Sequence, residues 1–321
     1  MNKTSSIRQS VLIICAILLA SCSRDTGSRP AAQAVRWIAG APVAEANLLG
    51  VDLIDEKNGW AVGDIGVMSG AVVRTTDGGL TWQAASRTDE ILAAITFVSP
   101  THGWIAGYAG RIQRTDDGGL TWKIQRGERE GEVLNAIFFL DNERGWAVGG
   151  TGLLLSTANG GETWDALPIS RAEDLWSVKF LTRELGFIVG EDGLILATVD
   201  GGNEWAAQSS GTTRALLGLA VARDYAVAVG EKGTILRSED LETWNPIESG
   251  TSETLNAVAA SGDSCWAVGS KGATVGSTDR GRSWTPSPTV VPRDLMSVSI
   301  ASPLSAVAVG RRGGVQLLGP E

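Results

Sequence analysis

Histidine occurs once in the chain, at His102, and cysteine three times, at Cys15, Cys22 and Cys265. No zinc, iron–sulfur or thiol-protease site can be assembled from that set, so no metal or cofactor is expected. Tyrosine is nearly as scarce, with Tyr108 and Tyr225 alone. Positive charge is in deficit: 27 Lys and Arg face 36 Asp and Glu, a net charge of −9. Phosphate neutralisation needs clustered Lys and Arg, which excludes nucleic acid as the partner. Gly and Pro together number 51 of 321 residues while 43% are apolar, so wholesale disorder is excluded and a large core is available. The length admits two ordinary domains or one large all-β domain.

One apolar run stands out, Val11 to Leu19, preceded by Lys3 and Arg8. It is too short for an ordinary transmembrane helix and reads as the h-region of a signal peptide. The run ends in Leu19-Ala20-Ser21-Cys22, which resembles the bacterial lipobox. That resemblance implies removal of residues 1–21 and acylation of Cys22, with Ser23 favouring the outer membrane. The mature chain then carries 25 basic and 36 acidic residues, −11. Residues 22–34 are polar and read as a flexible tether, at most roughly 40 Å when extended. The expectation is a domain held by lipid in the cell envelope and facing the periplasm or another extracytoplasmic side.

The rest of the chain is a repeat. Trp82, Trp122, Trp164, Trp205, Trp244 and Trp284 recur at intervals of 40, 42, 41, 39 and 40. All but Trp244 close a Thr/Ser-x-Asp/Asn-x-Gly-x-x-Trp segment, first seen as Thr75-Thr76-Asp77-Gly78-Gly79-Leu80-Thr81-Trp82. A second signature, Trp/Val/Phe-Ala/Ile-Val/Ala-Gly, ends at Gly63, Gly107, Gly149, Gly190, Gly230, Gly269 and Gly310. A glycine follows three residues later in each copy, and in the first, four extra residues put the matching glycine at Gly70. The third signature is Leu-x-x-apolar-x-apolar, as in Leu92 to Phe97 and Leu134 to Phe139.

Each unit reads as four short β-runs separated by turn residues, with no helical period, and four strands per roughly 40 residues make one propeller blade. Blades stack face to face, which accounts for runs such as Gly145 to Gly149 that are apolar throughout. The seventh unit stops at Leu318 without its Trp strand, while Val35-Arg36-Trp37-Ile38 stands alone upstream. The N-terminal strand is therefore expected to complete the last blade and remove its open edge. The prediction is an all-β, seven-bladed propeller over residues 35–321.

The Asp-containing segment resembles the Asp-box, or BNR repeat, of sialidases and other propellers. Its aspartate caps backbone N–H groups of a turn and its glycine accepts a positive φ. The slot holds Asp77, Asp117, Asn159, Asp200, Asp240 and Asp279. Proton transfer would not survive the change to Asn159, whereas hydrogen-bond acceptance would. The unit around Asp240 is one residue short and is expected to turn differently. Arg74, Arg114 and Arg237 precede the boxes and read as structural.

In a four-strand meander the Asp-boxes and the first-to-second turns, with His102, share one end. The other end carries the second-to-third turns and the blade-to-blade links. Its links hold Arg87, Arg126, Arg129, Arg171, Arg214 and Arg293, and its turns Tyr108, Lys232, Lys271, Arg311 and Arg312. Acidic residues sit among them, including Glu90, Glu132, Glu173, Asp174, Glu253 and Asp294. Arginine suits bidentate recognition of carboxylates, so this end is the candidate partner-binding surface.

Gly59-Trp60-Ala61-Val62-Gly63, Arg74 to Trp82 and their copies resemble the photosystem II stability/assembly factor family. The resemblance implies a lipid-anchored or lumenal seven-bladed propeller acting as a non-enzymatic assembly chaperone in photosynthesis. It also implies a membrane protein or assembly intermediate as partner, bound through an arginine-rich patch; the chain itself is expected to be a monomer. The alternative, suggested by the Asp-boxes, is a sialidase-like or other exo-glycosidase, which would need Tyr108 or Tyr225 as nucleophile or two adjacent carboxylates.

Overall fold

The computed structural model describes residues 35–320 except 44, 45, 67, 68, 128 and 170. The signal segment 1–21, Cys22 and the tether to residue 34 lie outside the described residues. Seven four-stranded antiparallel sheets form the ring. Blade one comprises Asn47–Leu53, Gly59–Asp64, Gly70–Thr75 and Gln83–Thr88. Blades two to six repeat this order over 92–126, 134–166, 175–208, 216–246 and 255–286. Among the described residues there is no α-helix, only single 3-10 turns between the second and third strands of blades three to seven.

Blade seven contributes Leu295–Ser302, Ser305–Gly310 and Val315–Pro320, and its outer strand is Val35–Ala39. Trp37 pairs with Leu318 and Ala39 with Gln316, as the expected closure requires. Between blades seven and one, the hydroxyls of Ser297 and Ser299 accept the backbone N–H groups of Val51 and Leu53 at 3.3 and 3.0 Å. The second strands Gly103–Gly107, Gly145–Gly149 and Gly186–Gly190 are buried at every position, because neighbouring blades cover both faces.

The three sequence signatures meet at the joints between blades. Trp60 of blade one stacks on Phe97 of blade two at 3.7 Å and donates its indole N–H to the Gly118 carbonyl at 2.8 Å. Trp122, which closes that same Asp-box, meets Phe97 edge-on at 6.2 Å. The next joint repeats the arrangement with Trp104 on Phe139 at 3.6 Å, Gly160 at 3.1 Å and Trp164 at 5.8 Å. Each aromatic pair adds about 0.5–1.5 kcal/mol beyond its buried area. Arg74 and Arg114 lie over Trp60 and Trp104 at 5.4 and 5.6 Å, which gives these arginines the structural role expected.

Every innermost strand slips register directly after its leading leucine, and that of blade seven slips a second time between Ile300 and Ser302. The extra residue of each bulge, namely Leu49, Ala93, Asn135, Trp176, Leu217, Asn256 and Met296, lines a cavity along the ring axis. The next position along each strand is small throughout: Gly50, Ala94, Ala136, Ser177, Gly218, Ala257 and Ser297. At Gly50 an added Cβ would lie 3.2 Å from the Ala93 carbonyl oxygen, so close approach of the neighbouring blade limits size there.

Candidate functional site

At the Asp-box end the aspartates are occupied. Asp77 Oδ1 accepts the Thr81 N–H at 2.9 Å and the Thr75 hydroxyl at 2.8 Å, while Oδ2 accepts the Thr81 hydroxyl at 2.6 Å. Asn159 reproduces this with its amide: Oδ1 accepts from Thr163 N–H at 3.0 Å and Nδ2 donates to the Thr163 hydroxyl at 2.9 Å. Hydrogen bonds from Thr121, then Thr115, hold Asp117 down at about 2. Such groups are permanent acceptors and poor proton donors. In blade five Leu241 takes φ +61 directly after the aspartate, where blades one to four place glycine and blade six Arg280 at φ +65, and Asp240 still accepts from Glu242 and Thr243 N–H at 2.9 and 2.7 Å. The turn differs as expected, yet its cap is intact.

The glycosidase reading is not favoured. Tyr225 opens the second strand of blade five, buried, with its hydroxyl donating to the Gly262 carbonyl at 3.1 Å. Burial pushes its phenol well above the ordinary range. Tyr108 is exposed at the opposite end, so the two tyrosines do not share a site. His102 sits in its turn with Nδ1 hydrogen-bonded to the Thr101 and Ser99 hydroxyls at 2.9 and 3.1 Å.

At the opposite end, the second-to-third turns place a non-glycine residue in the left-handed region in six blades: Ala109, Thr151, Asp192, Lys232, Lys271 and Arg312, with φ of 52–54°. In blades three to seven the glycine that follows cannot be replaced without displacing the backbone of a link. A Cβ on Gly193 would lie 2.1 Å from the Thr212 carbonyl oxygen, and one on Gly233 2.0 Å from that of Thr251. The link in turn caps the turn: Asp174 accepts the Thr151 N–H at 2.7 Å, Asp294 the Lys271 N–H at 2.9 Å and Asn47 the Arg312 N–H at 2.9 Å. Asp174 and Asp294, read from sequence as part of the binding surface, are thus structural caps. Position two residues before the inner-strand bulge is the signal that could have found them.

The predicted cations divide into three groups. Arg126 is half-buried in its own blade, bonded to the Gly110 carbonyl at 2.7 Å and paired with Glu132 at 2.7 Å. Arg171 pairs with Glu173 at 3.1 Å. Arg87 lies within the outer strand Gln83–Thr88 of blade one and not in a link, and Arg129 is exposed between blades two and three, so both stand on the same side of the ring as Tyr108. A third group forms one arc over blades five to seven: Arg214, Lys232, Lys271, Arg293, Arg311 and Arg312. Arg214 reaches the Thr234 hydroxyl at 3.3 Å and Arg293 the Arg312 carbonyl at 2.6 Å, neither bond neutralising charge. Arg311 lies 3.8 Å from Asp294 and Lys271 pairs with Glu253 at 2.9 Å. Beside the arc, a groove of about 1010 Å³ is walled by hydroxyls of Ser210, Thr212, Thr234, Ser249 and Thr251 together with Arg214 and Lys232.

Residues 84–173 match the family described as Photosynthesis system II assembly factor YCF48. Among solved structures, YCF48 bound to D1 peptide superposes with a TM-score of 0.74 at 22% identity, covering 92% of this chain and 100% of that one. YCF48 from Cyanidioschyzon merolae gives 0.70 at 20% identity, over 88% and 99%. The WD40 propeller domain of Doa1 gives 0.73 at 12% identity over 90% and 98%, so the superpositions speak to the ring and not to its partner. Among curated proteins none matches in sequence.

Proposed function

We propose, on the premise that this chain is a photosystem II assembly factor-like propeller, that it is a non-enzymatic binding protein capturing an acidic or extended segment of a membrane protein under assembly. The observation that carries the reading is the cationic arc of blades five to seven, set on a chain that is otherwise acidic. Arg214, Lys232, Arg293 and Arg312 have no ion-pair partner among the described residues, so their charge is available to a carboxylate-bearing ligand. One structural relative, YCF48, is bound to a D1 peptide, and a peptide is the kind of ligand proposed for the arc.

The lipobox supports anchoring through Cys22, with the propeller acting as a monomer on the outer side of its membrane. Intact mass of the purified mature protein tests this: an acylated N-terminus at Cys22 supports it, and an unmodified N-terminus at another residue overturns it. For the binding face, reversing Arg214, Lys232, Arg293 and Arg312 to Glu should abolish partner capture in a pull-down from solubilised membranes while leaving the circular dichroism unchanged. Exposed loop substitutions shift stability by no more than about 0.5 kcal/mol. Capture that survives the reversals places the site elsewhere, and steady turnover of a sialoside by the purified protein overturns the non-enzymatic reading.

A further inference from the structure

The axial cavity, roughly 880 Å³, reaches the end of the ring that carries the links. Its mouth is a collar of bulged residues in which Leu49, Trp176, Leu217 and Met296 are the large apolar members. The two asparagines of the collar are spent: Asn135 and Asn256 donate to the Leu175 and Leu295 carbonyls of the next blade at 2.9 and 2.7 Å. Trp176 is likewise fixed, its indole N–H on Glu191 at 2.8 Å. Beneath the collar all seven strands present glycine, alanine or serine, which leaves the axis hollow. Three residues further along its strand than Trp176, about 10 Å deeper, stands Lys179.

Lys179 is the feature that points to a ligand. Its ammonium lies 5.1 Å from the centre of the Phe138 ring, and no carboxylate among the described residues is within ion-pairing distance. Asp52, from blade one at the same depth, gives one oxygen to the Phe97 N–H at 2.7 Å. The other positions of that tier, Thr96, Phe138, Ala220, Ala259 and Ser299, do not ionise. At the mouth, Asp64 accepts from Asn47 at 2.9 Å, Asp174 caps Thr151, and Arg311 is next to Asp294.

We propose that this cavity binds a small amphiphilic carboxylate, its anionic head on Lys179 and its apolar body along the axis under Leu49, Trp176, Leu217 and Met296. A single point-like cation suits one monoanionic head, whereas a phosphate dianion would want several donors or a nest of backbone N–H groups, which these strand residues have committed to the sheet. The apolar collar adds selection for a chain-bearing acid over a bare inorganic anion, and the cavity falls in the size range of small-ligand sites. Arg311 belongs to both the arc and the cavity mouth, but the contacts proposed here lie deeper along the axis and do not depend on the function proposed for the arc.

Asp52 gives the site a pH dependence. Burial pushes its carboxyl up to about 6, against the pull of the Phe97 N–H and Lys179, and burial also lowers the Lys179 ammonium. Below that pH the aspartate becomes neutral and ceases to compete for Lys179, so an anionic ligand should bind more tightly as pH falls.

Calorimetric titration of the mature protein with decanoate at pH 5.5 and 7.5 tests the assignment. Saturable one-site binding is expected, several-fold tighter at pH 5.5. Lys179→Met should weaken it by about tenfold or more while Lys179→Arg retains it. Asp52→Asn should give at pH 7.5 the affinity that the parent protein reaches only at 5.5. Leu217→Trp, which keeps Lys179 and fills the collar, should also block binding and covers the case in which a Lys179 variant does not fold. Absence of saturable binding at both pH values overturns the proposal, as does undiminished binding by Lys179→Met or equal affinity for decyltrimethylammonium, which has a similar tail and the opposite charge.

Discussion

Trp37 and Trp266 meet edge to face, ring centroids 5.4 Å apart and planes at 90°, although they are far apart in the sequence. Trp37 belongs to the strand that closes blade seven, and Trp266 to the second strand of blade six. Around them Val268, Leu295, Val298 and Leu318 complete one buried cluster. The chain's two ends are therefore joined by packing as well as by the strand pairing of Trp37 with Leu318. Trp37→Ala should destabilise the protein by about 3–5 kcal/mol, measured by urea denaturation, because the cavity lies between rigid blades that cannot collapse into it. A midpoint equal to that of the parent protein would show that closure does not depend on this contact.

The Asp-box makes a prediction that separates hydrogen bonding from charge. Since Asn159 already does the work in blade three, Asp77→Asn should change stability little, whereas Asp77→Ala loses the acceptor for Thr81 and should cost about 1 kcal/mol or more. Acid denaturation carries the complementary signature. Asp117 and Asp279 are held at about 2 in the folded protein, below the ordinary aspartate value, so their contribution is present above pH 4 and is lost as pH falls from about 4 towards 2. An unfolding profile flat across that interval would contradict the assignment.

Asp52 behaves in the opposite sense. Its folded value of about 6 lies above the ordinary 3.8, so the folded state favours the protonated form and the group opposes folding once ionised. The penalty is absent below about pH 4, grows between 4 and 6 and is fully present above that. Asp52→Asn retains an acceptor for the Phe97 N–H and should stabilise the protein by about 1–3 kcal/mol at pH 8, with the gain vanishing by pH 4. Equal gains at both pH values would mean that ionisation is not the cause.

The fold was legible because each repeat states its own joint. The Trp of one signature, the Phe of another and the Asp-box turn are read separately along the chain, and Trp60, Phe97 and Gly118 then prove to be one contact. The orphan Trp37 strand was legible for the same reason, since the truncated last unit lacked only that part. What the sequence did not disclose is which loop charges are spent. Arg126 and Arg214 look alike in sequence, yet Glu132 neutralises the first and the second faces a hydroxyl. Nor did it mark the axis. The bulge after each leading leucine turns one residue of an apolar motif toward the cavity, and periodicity cannot distinguish that residue from its neighbours in the core.

The left-handed turns permit a test in which stability and function move in opposite directions. Lys232 and Arg312 occupy φ of 52°, and Thr151 φ of 54°, where a side chain costs on the order of 1 kcal/mol and glycine costs nothing. Replacement by glycine relieves that strain, offset in part by the larger entropy of the unfolded chain, so each of Lys232→Gly, Arg312→Gly and Thr151→Gly should leave thermal stability unchanged or raise it by up to about 1 kcal/mol. Partner capture should divide them. Lys232→Gly and Arg312→Gly each remove a cation from the arc and should weaken capture, the more so at low ionic strength where unscreened charge counts most. Thr151→Gly, in the equivalent turn of blade three and outside the arc, should leave capture unchanged. If all three weaken it equally, the shape of the turns governs recognition and the charge of the arc does not; if none does, the binding surface lies away from these turns.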